Sequence, residues 1–165
     1  MNQYGLALDI YTVAFFGHRY VDRLREAEDK LESVLHRLLE EKEYVDFLVG
    51  RDGDFDQAAS STICRLKRNF RDDNSAHIWV LPYPTAEYLE NQECYEAYYD
   101  EIEICEASSR AHFKAAFQTR NRYMVDRADL IICYIDHKSG GAYQTIRYAE
   151  KQGKEILNLA EDIEY

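Results

Sequence analysis

The chain alternates between short unbroken apolar runs and longer segments in which apolar residues recur every three or four positions. Unbroken runs between turn residues are typical of strands covered on both faces, and the longer spacing is typical of amphipathic helices. Five strands are predicted, at residues 11–16, 47–49, 77–81, 130–135 and 155–159. Residues 101–105 form either a further short strand or an extended lid.

Helical segments lie between these strands. They are predicted at residues 22–42, with Asp22 as N-cap, and at 54–66, 112–128 and 143–152. Strands that alternate with helices indicate an α/β fold. We therefore expect a Rossmann-like, doubly wound, largely parallel sheet of five or six strands, with helices on both faces. Residues 1–165 form a single domain in this interpretation, with residues 161–165 as a loose tail.

Three loops of this fold meet at one edge of the sheet, because the carboxyl ends of parallel strands share an edge and ligands bind there. The loops cover residues 17–19, 50–56 and 136–141. Adjacent glycines let a ligand approach the backbone, and the following helix offers unpaired N–H groups to an anion. The candidate ligand-binding residues of these loops are Gly17, His18, Arg19, Gly50, Gly53, Asp56, Gly140 and Gly141. A GxGxxG dinucleotide motif is absent.

The helix at residues 112–128 carries a cation among its apolar residues. Arg120 shares a helical stripe with Phe113, Ala116, Phe117 and Met124. An unpaired buried charge is costly, so the guanidinium either meets a carboxylate or projects into a ligand cleft. Spacing alone favours the ion pair over the cleft.

The loop GRDGDFDQAA places acids at alternate positions, Asp52, Asp54 and Asp56. This spacing is similar to a calcium loop, but the twelfth position is Ile63 and not glutamate, so we reject calcium binding. Either Asp54 or Asp56 can cap the following helix, and Asp56 can also contact a ligand.

Composition narrows the range of partners. A net charge of −11 argues against nucleic acid and an anionic membrane surface, but it leaves a small anionic ligand open. The four cysteines lack a CxxC spacing and are predicted to be reduced thiols of a cytoplasmic protein. The five histidines show no metal-ligand spacing, so no metal and no cofactor are predicted.

Four sequence motifs together resemble one known superfamily. GHR follows the first predicted strand, GxxGxFDxxA follows the second, and RNxxMVxxADLII and GGxxxTxxYA surround the fourth. In this combination and order, over residues 12–159, they are similar to the SLOG superfamily, which joins DprA-type and LOG-type Rossmann-like domains. The match is nearest to its YpsA-like branch.

The resemblance implies that the converging loops bind a nucleotide or nucleotide-derived ligand, as a cytoplasmic sensor and a homo-oligomer. By position, Arg120 matches the LOG-type arginine that faces the phosphoribosyl group, and Asn121 follows it in the same motif. Gly140, Gly141 and Thr145 match the residues that cradle phosphate. With this match, Arg120 is assigned to the ligand cleft.

Two other functions are implied by other members of the superfamily. LOG-type members hydrolyse the N-glycosidic bond of nucleoside monophosphates, but one residue is inserted here before Thr145, and Arg147 stands at the position of the catalytic glutamate. Asp136 or Glu150 would have to replace it, so the catalytic residue is unassigned. DprA-type members bind single-stranded DNA, which the acidic composition disfavours most.

Overall fold

A computed structural model describes residues 8–161, so the predicted tail lies outside the described residues beyond Glu161. Within this part of the chain, six strands are present: β1 (Ile10–Gly17), β2 (Tyr44–Val49), β3 (Ser75–Leu81), β4 (Glu101–Ile104), β5 (Leu130–Tyr134) and β6 (Glu155–Asn158). The helices of the same residues are α1 (Leu24–Glu41), α2 (Asp54–Asn69), α3 (Ala86–Glu90), α4 (Gln92–Tyr98), α5 (Glu106–Ser109), α6 (Phe113–Arg127) and α7 (Gly141–Lys151).

All neighbouring strands are parallel, in the order β4-β3-β2-β1-β5-β6. The predicted α/β fold with a Rossmann-like parallel sheet is confirmed. The open alternative at residues 101–105 is settled as a strand, because Glu101–Ile104 pairs with β3 through Ile78–Leu81.

Helices cover both faces of the sheet, and each face has its own apolar core. On one face, α1 and α2 pack against the side chains of Val13, Phe15 and Phe47. On the other face, α6 and α7 pack against Ala14 and Phe16. The alternate residues of β1 therefore serve opposite cores, which is why its sequence is apolar without interruption.

The chain reverses its direction of travel across the sheet at β1. Strands β2, β3 and β4 are added successively on one side of β1, and β5 and β6 are added on the other. In doubly wound folds, the loops that follow the two strands at such a point separate and leave a crevice. Here this crevice lies outside the carboxyl ends of β1 and β5.

The predicted helix caps are wrong in detail. Helix α1 begins at Leu24 after Arg23, and no side chain caps it, so Asp22 is not its N-cap. The N-cap of helix α2 is Gly53, so neither Asp54 nor Asp56 occupies the N-cap position. The Asp54 carboxylate accepts a hydrogen bond from the Val21 N–H at 3.0 Å. The Asp54 side chain thus joins two loops that are distant in sequence, and local spacing cannot indicate such a contact.

The apolar stripe of α6 is only partly buried. Ala116 and Met124 are buried as predicted, but Phe113 and Phe117 are 66% and 39% exposed. Phe117 lies at the mouth of a cavity and not beneath the sheet, because the first turns of α6 flank the carboxyl edge.

The tyrosine-rich segment packs beside the sheet. The Trp79 ring on β3 contacts the rings of Tyr88, Tyr95 and Tyr99, with centroid distances of 5.9, 5.0 and 5.1 Å. Arg51 donates a hydrogen bond to the Tyr99 hydroxyl at 3.3 Å, which links this aromatic group to the loop after β2.

None of the helices within residues 8–161 combines the length and apolar character that a membrane crossing requires.

Gly17 is needed for packing at the end of β1. A Cβ atom at this position would lie 2.4 Å from Cβ and Cγ of Phe55, a side chain that is fully buried on α2. We expect Gly17→Ala to lower the free energy of unfolding by about 1–3 kcal/mol, because the core must shift to accept the methyl group. Urea denaturation measures the change, with Ser139→Ala on an exposed loop as control. An unchanged midpoint for Gly17→Ala would contradict this role.

Candidate functional site

A cavity of about 170 Å³ opens at the crevice between the carboxyl ends of the strands. Its lining includes six of the eleven predicted ligand residues, namely Gly17, Gly50, Asp56, Arg120, Asn121 and Gly141. The complete lining is Phe15, Phe16, Gly17, Gly50, Asp52, Asp56, Phe117, Gln118, Arg120, Asn121, Met124, Gly141 and Ala142. The predicted convergence of the three loops and the helix that carries Arg120 therefore produces one concave site.

The Arg120 guanidinium is held by the protein on three sides. Its Nη2 donates to Oδ2 of Asp52 at 2.6 Å, and its Nη1 donates to the carbonyl oxygen of Val80 at 2.7 Å. Its Nε donates to Oδ1 of Asn121 at 2.9 Å. The side chain is 3% exposed, whereas that of Asp52 is 47% exposed. Arg120 is thus both an ion-pair partner and part of the cavity wall, so the two alternatives posed by the sequence occur together.

Asp56 is a buried acid in the cavity wall. Asp56 lies in the first turn of α2, and its Oδ2 accepts a hydrogen bond from the Asp52 N–H at 2.8 Å. This bond holds the loop that precedes α2 against the helix. Burial, together with the nearby Asp52 carboxylate, raises the pKa of Asp56 to about 7. The backbone hydrogen bond and Arg120 act in the opposite direction. Near neutral pH this carboxyl group can therefore either donate or accept a hydrogen bond.

The N-terminus of α7 forms the opposite wall. Gly140 precedes the helix with a φ of 92°, a conformation that side chains disfavour. Thr145 is buried, and its hydroxyl donates to the Gly141 carbonyl at 2.9 Å and accepts from Asn121 Nδ2 at 3.1 Å. Thr145 therefore orients the first turn of α7 and Asn121 but does not line the cavity.

A groove of about 320 Å³ adjoins the cavity and shares Gly17, Gly141 and Ala142 with it. His18, Arg19 and Gly140 line this groove. The His18 ring stacks on the His137 ring, with centroids 3.6 Å apart and planes at 11°. Nε2 of His18 accepts a hydrogen bond from the Asp136 N–H at 3.2 Å, a contact that requires this nitrogen to be unprotonated. Consistently, burial lowers the pKa of His18, and His137 lowers it further.

Other predicted residues lie elsewhere. Gly53 permits a crossing of loops, because a Cβ atom there would lie 2.5 Å from the Arg19 Cα. Arg147 and Glu150 are exposed and do not line the cavity within the described residues 8–161. Asp136 is also exposed and lies beside the histidine pair. The acids considered as replacements for the catalytic glutamate, Asp136 and Glu150, therefore lie outside the cavity lining, which holds Asp52 and Asp56 instead.

The residues of the site that are missing from the sequence prediction include Asp52, Phe117, Gln118 and His137. Asp52 was considered only as part of a calcium pattern, and Phe117 only as a packing residue. Gln118 stands one turn before Arg122 on α6, where its amide reaches the Gly141 carbonyl at 3.4 Å. Gln118 lies outside the apolar stripe of α6, so local spacing carries no signal that indicates it.

Comparisons with known proteins support the fold. Searches against models of protein families and against curated proteins find no match. Among solved structures, the chain is similar to DNA processing protein A (DprA) from Streptococcus pneumoniae, with a TM-score of 0.62 and 16% identity over 89% of this chain and 49% of that one. It is also similar to DNA processing protein A from Helicobacter pylori, with a TM-score of 0.60 and 15% identity over 88% of this chain and 63% of that one.

The chain thus spans about half of the first of these proteins and less than two thirds of the second. At these identities the likeness shows a common fold alone. It agrees with the DprA-type domain that the sequence motifs implied, whereas the YpsA-like branch stays a prediction.

The prediction that argued against nucleic acid as a partner is wrong. It relied on the net charge of −11. However, the Helicobacter pylori protein, which has the same fold, binds single-stranded DNA. Net charge is a property of the whole molecule, whereas binding depends on the groups and the field at the site. The acidic composition therefore does not exclude nucleic acid.

Removal of the Arg120 side chain should destabilise the protein. The substitution Arg120→Ala leaves Asp52 without its cation and leaves the Val80 carbonyl without its donor. We expect a loss of about 2–4 kcal/mol, below the full value for a buried pair because Asp52 is half exposed. Chemical denaturation compares it with Arg122→Ala, which removes an exposed arginine of the same helix. Equal stability of the two variants would contradict a structural role.

The raised pKa of Asp56 predicts a pH dependence of stability. The folded protein holds this proton up to pH 7, whereas an unfolded aspartate releases it near pH 4. The stabilisation that the folded protein gains from this proton is therefore fully present below pH 4 and is lost as the pH rises to 7. It adds at most roughly 4 kcal/mol to the free energy of unfolding.

The substitution Asp56→Asn removes this titration and keeps an oxygen for the Asp52 N–H. We expect the stability of wild type relative to Asp56→Asn to fall between pH 4 and 7. The difference between the two proteins must be used, because burial lowers the pKa of His77 to about 4, which works in the opposite direction. A difference that stays constant over this range would show that Asp56 titrates normally.

Proposed function

We propose that the protein binds a nucleoside phosphate at the carboxyl edge of the sheet. The observation that supports this most directly is the position of the cavity. It lies at the point where the strand order reverses, and the N-terminus of α7 forms one of its walls. That position is where doubly wound folds bind ligands, and the helix terminus gives it affinity for an anion.

The phosphate would bind against the first turn of α7. The helix spans eleven residues, so its N-terminal dipole and unpaired N–H groups favour negative charge. Gly140 and Gly141 have no side chains to block approach to these groups, and Arg19 adds a cation in the adjoining groove. This arrangement supplies the local attraction that the acidic molecule as a whole lacks.

The nucleoside part would enter the cavity. A volume of about 170 Å³ suits one ring system and is below the usual range for a complete ligand pocket, so the phosphate would remain in the groove. The exposed ring of Phe117 offers a surface for stacking. Asp52, Asp56 and Gln118 offer hydrogen-bond partners to ribose hydroxyls or base edges.

Arg120 has a secondary role in this proposal. Three of its five donors are used by the protein, one on each nitrogen. Its charge is offset by Asp52 at 2.6 Å. Arg120 therefore positions the carboxylate and the loop, and most of the attraction for phosphate comes from α7.

A nucleoside phosphate has two possible sources, a free nucleotide and a unit of single-stranded nucleic acid. Free nucleotide agrees with a sensor of the SLOG type, which the motifs implied together with a homo-oligomeric, cytoplasmic protein. Single-stranded DNA agrees with the DNA-binding mode of the Helicobacter pylori protein. Both sources present the same phosphate to α7, and binding measurements can distinguish them.

Replacement of Gly141 should weaken binding of either source. The substitution Gly141→Val adds a branched side chain next to the α7 N-terminus, where even a Cβ atom alone would lie 3.1 Å from Nε2 of Gln118. Calorimetry with adenosine and guanosine mono- and diphosphates, and fluorescence anisotropy with a labelled oligothymidine at low and moderate salt, measure the affinity. We expect at least a tenfold loss, and Ala115→Val on the exposed face of α6 as control should bind normally.

The two binding measurements distinguish a free nucleotide from single-stranded DNA as the ligand. Tight binding of a mononucleotide without the oligonucleotide would support a sensor, and the reverse would support single-stranded DNA as the partner. Wild-type affinity in folded Gly141→Val, or no binding of any probe by wild type, would overturn the proposal.

A further inference from the structure

The groove brings together three side chains that sequence spacing did not connect. The described residues contain one group of three potential metal ligands within 4.8 Å of one another, namely His18, Asp136 and His137. His18 follows β1, whereas the other two follow β5, so 118 positions separate His18 from Asp136. The adjacency of β1 and β5 in the sheet creates the cluster. From this geometry we propose that His18, Asp136 and His137 form a binding site for a divalent transition metal ion, with zinc as the reference metal.

The donor atoms are of the kind that such metals prefer. Two imidazole nitrogens and one carboxylate oxygen suit zinc, cobalt, nickel and iron, whereas magnesium and calcium prefer oxygen ligands alone. Three protein ligands also leave a coordination position for water or a ligand oxygen, as in open zinc sites. The histidines line the groove, so a metal held by them is accessible from solvent.

Two of the three ligands are already suitably placed, whereas His137 must move and turn, because a ring stacked on that of His18 cannot point a nitrogen at the same metal ion. Ligands about 2.0–2.2 Å from a tetrahedral zinc ion are about 3.4 Å from one another. Nε2 of His18 and Oδ1 of Asp136 are already 3.4 Å apart. Nδ1 of His137 is closer to the same oxygen, at 2.7 Å, and must move outward. The His137 side chain is 54% exposed, so this movement meets little resistance.

The binding of metal would replace two existing interactions. Nε2 of His18 would exchange the N–H of Asp136 for the metal, and His137 would give up its hydrogen bond to the Asp136 carboxylate. The buried position of His18, whose side chain is 6% exposed, holds one ligand in place before the metal arrives. Without metal, the same contacts would serve only to fasten the two loops together, which is the alternative that an experiment must exclude.

Metal binding can be measured without any nucleotide, so the result is separate from the proposed function. The full chain is treated with a chelator, exchanged into metal-free buffer and titrated with zinc chloride by calorimetry. Titration with cobalt chloride in an absorption spectrometer reports the ligand type and coordination number. We expect one ion per chain, and an increase in melting temperature on addition of zinc.

The variants His137→Ala and Asp136→Asn test the ligands, since both side chains are exposed and their replacement spares the core. We expect each to weaken zinc binding at least about a hundredfold, the upper range seen even for residues that only support a ligand. His112→Ala, which removes another exposed histidine, and Cys94→Ser, which removes an exposed thiol, are the matched controls and should bind zinc as wild type does.

Three results would overturn the proposal. One is the absence of saturable binding in wild type. Another is unchanged affinity in folded His137→Ala and Asp136→Asn. The third is thiolate absorption in the cobalt spectrum that disappears in Cys94→Ser, which would assign the metal to the cysteine.

Discussion

The ion pair between Arg120 and Asp52 connects three parts of the structure that form the site. Arg120 belongs to α6, Asp52 to the loop after β2, and the Val80 carbonyl to β3. A buried guanidinium is tolerated only when its charge and donors are satisfied, so these three elements must keep a fixed relation to one another. The cavity is the space left beside this arrangement, and its shape depends on the pair even where a ligand does not touch it.

Asp56 adds a second constraint to the same loop. It is buried beside Asp52, and two adjacent carboxylates cannot both be charged at little cost. The Arg120 charge therefore serves chiefly Asp52, and Asp56 is left with a proton that it releases near neutrality. A site built in this way is close to electrically neutral at its centre and electropositive at the α7 terminus. This division agrees with the proposal that an acidic protein binds phosphate at this terminus.

The sequence predicted the fold well, and the site only in outline. The strands were predictable because each is an unbroken apolar run, and the loops converge because parallel strands share a carboxyl edge. The partner of Arg120 was not predictable, since Asp52 lies 68 positions away and its spacing resembled other acidic loops. The same limit applies to His18 and His137, which become neighbours only through the pairing of β1 with β5. Net charge misled about nucleic acid because it carries no positional information.

The position of β1 at the centre of the sheet affects how the chain is made. Ribosomes synthesise β1 to β4 before β5, and these four strands can pair among themselves in the order β4-β3-β2-β1. Until Leu130–Tyr134 emerges, the far edge of β1 has unpaired backbone groups along the apolar residues Val13–Phe16. Open apolar edges recruit other strands. A nascent or truncated chain that ends before β5 therefore carries an open, aggregation-prone edge at the centre of the future sheet.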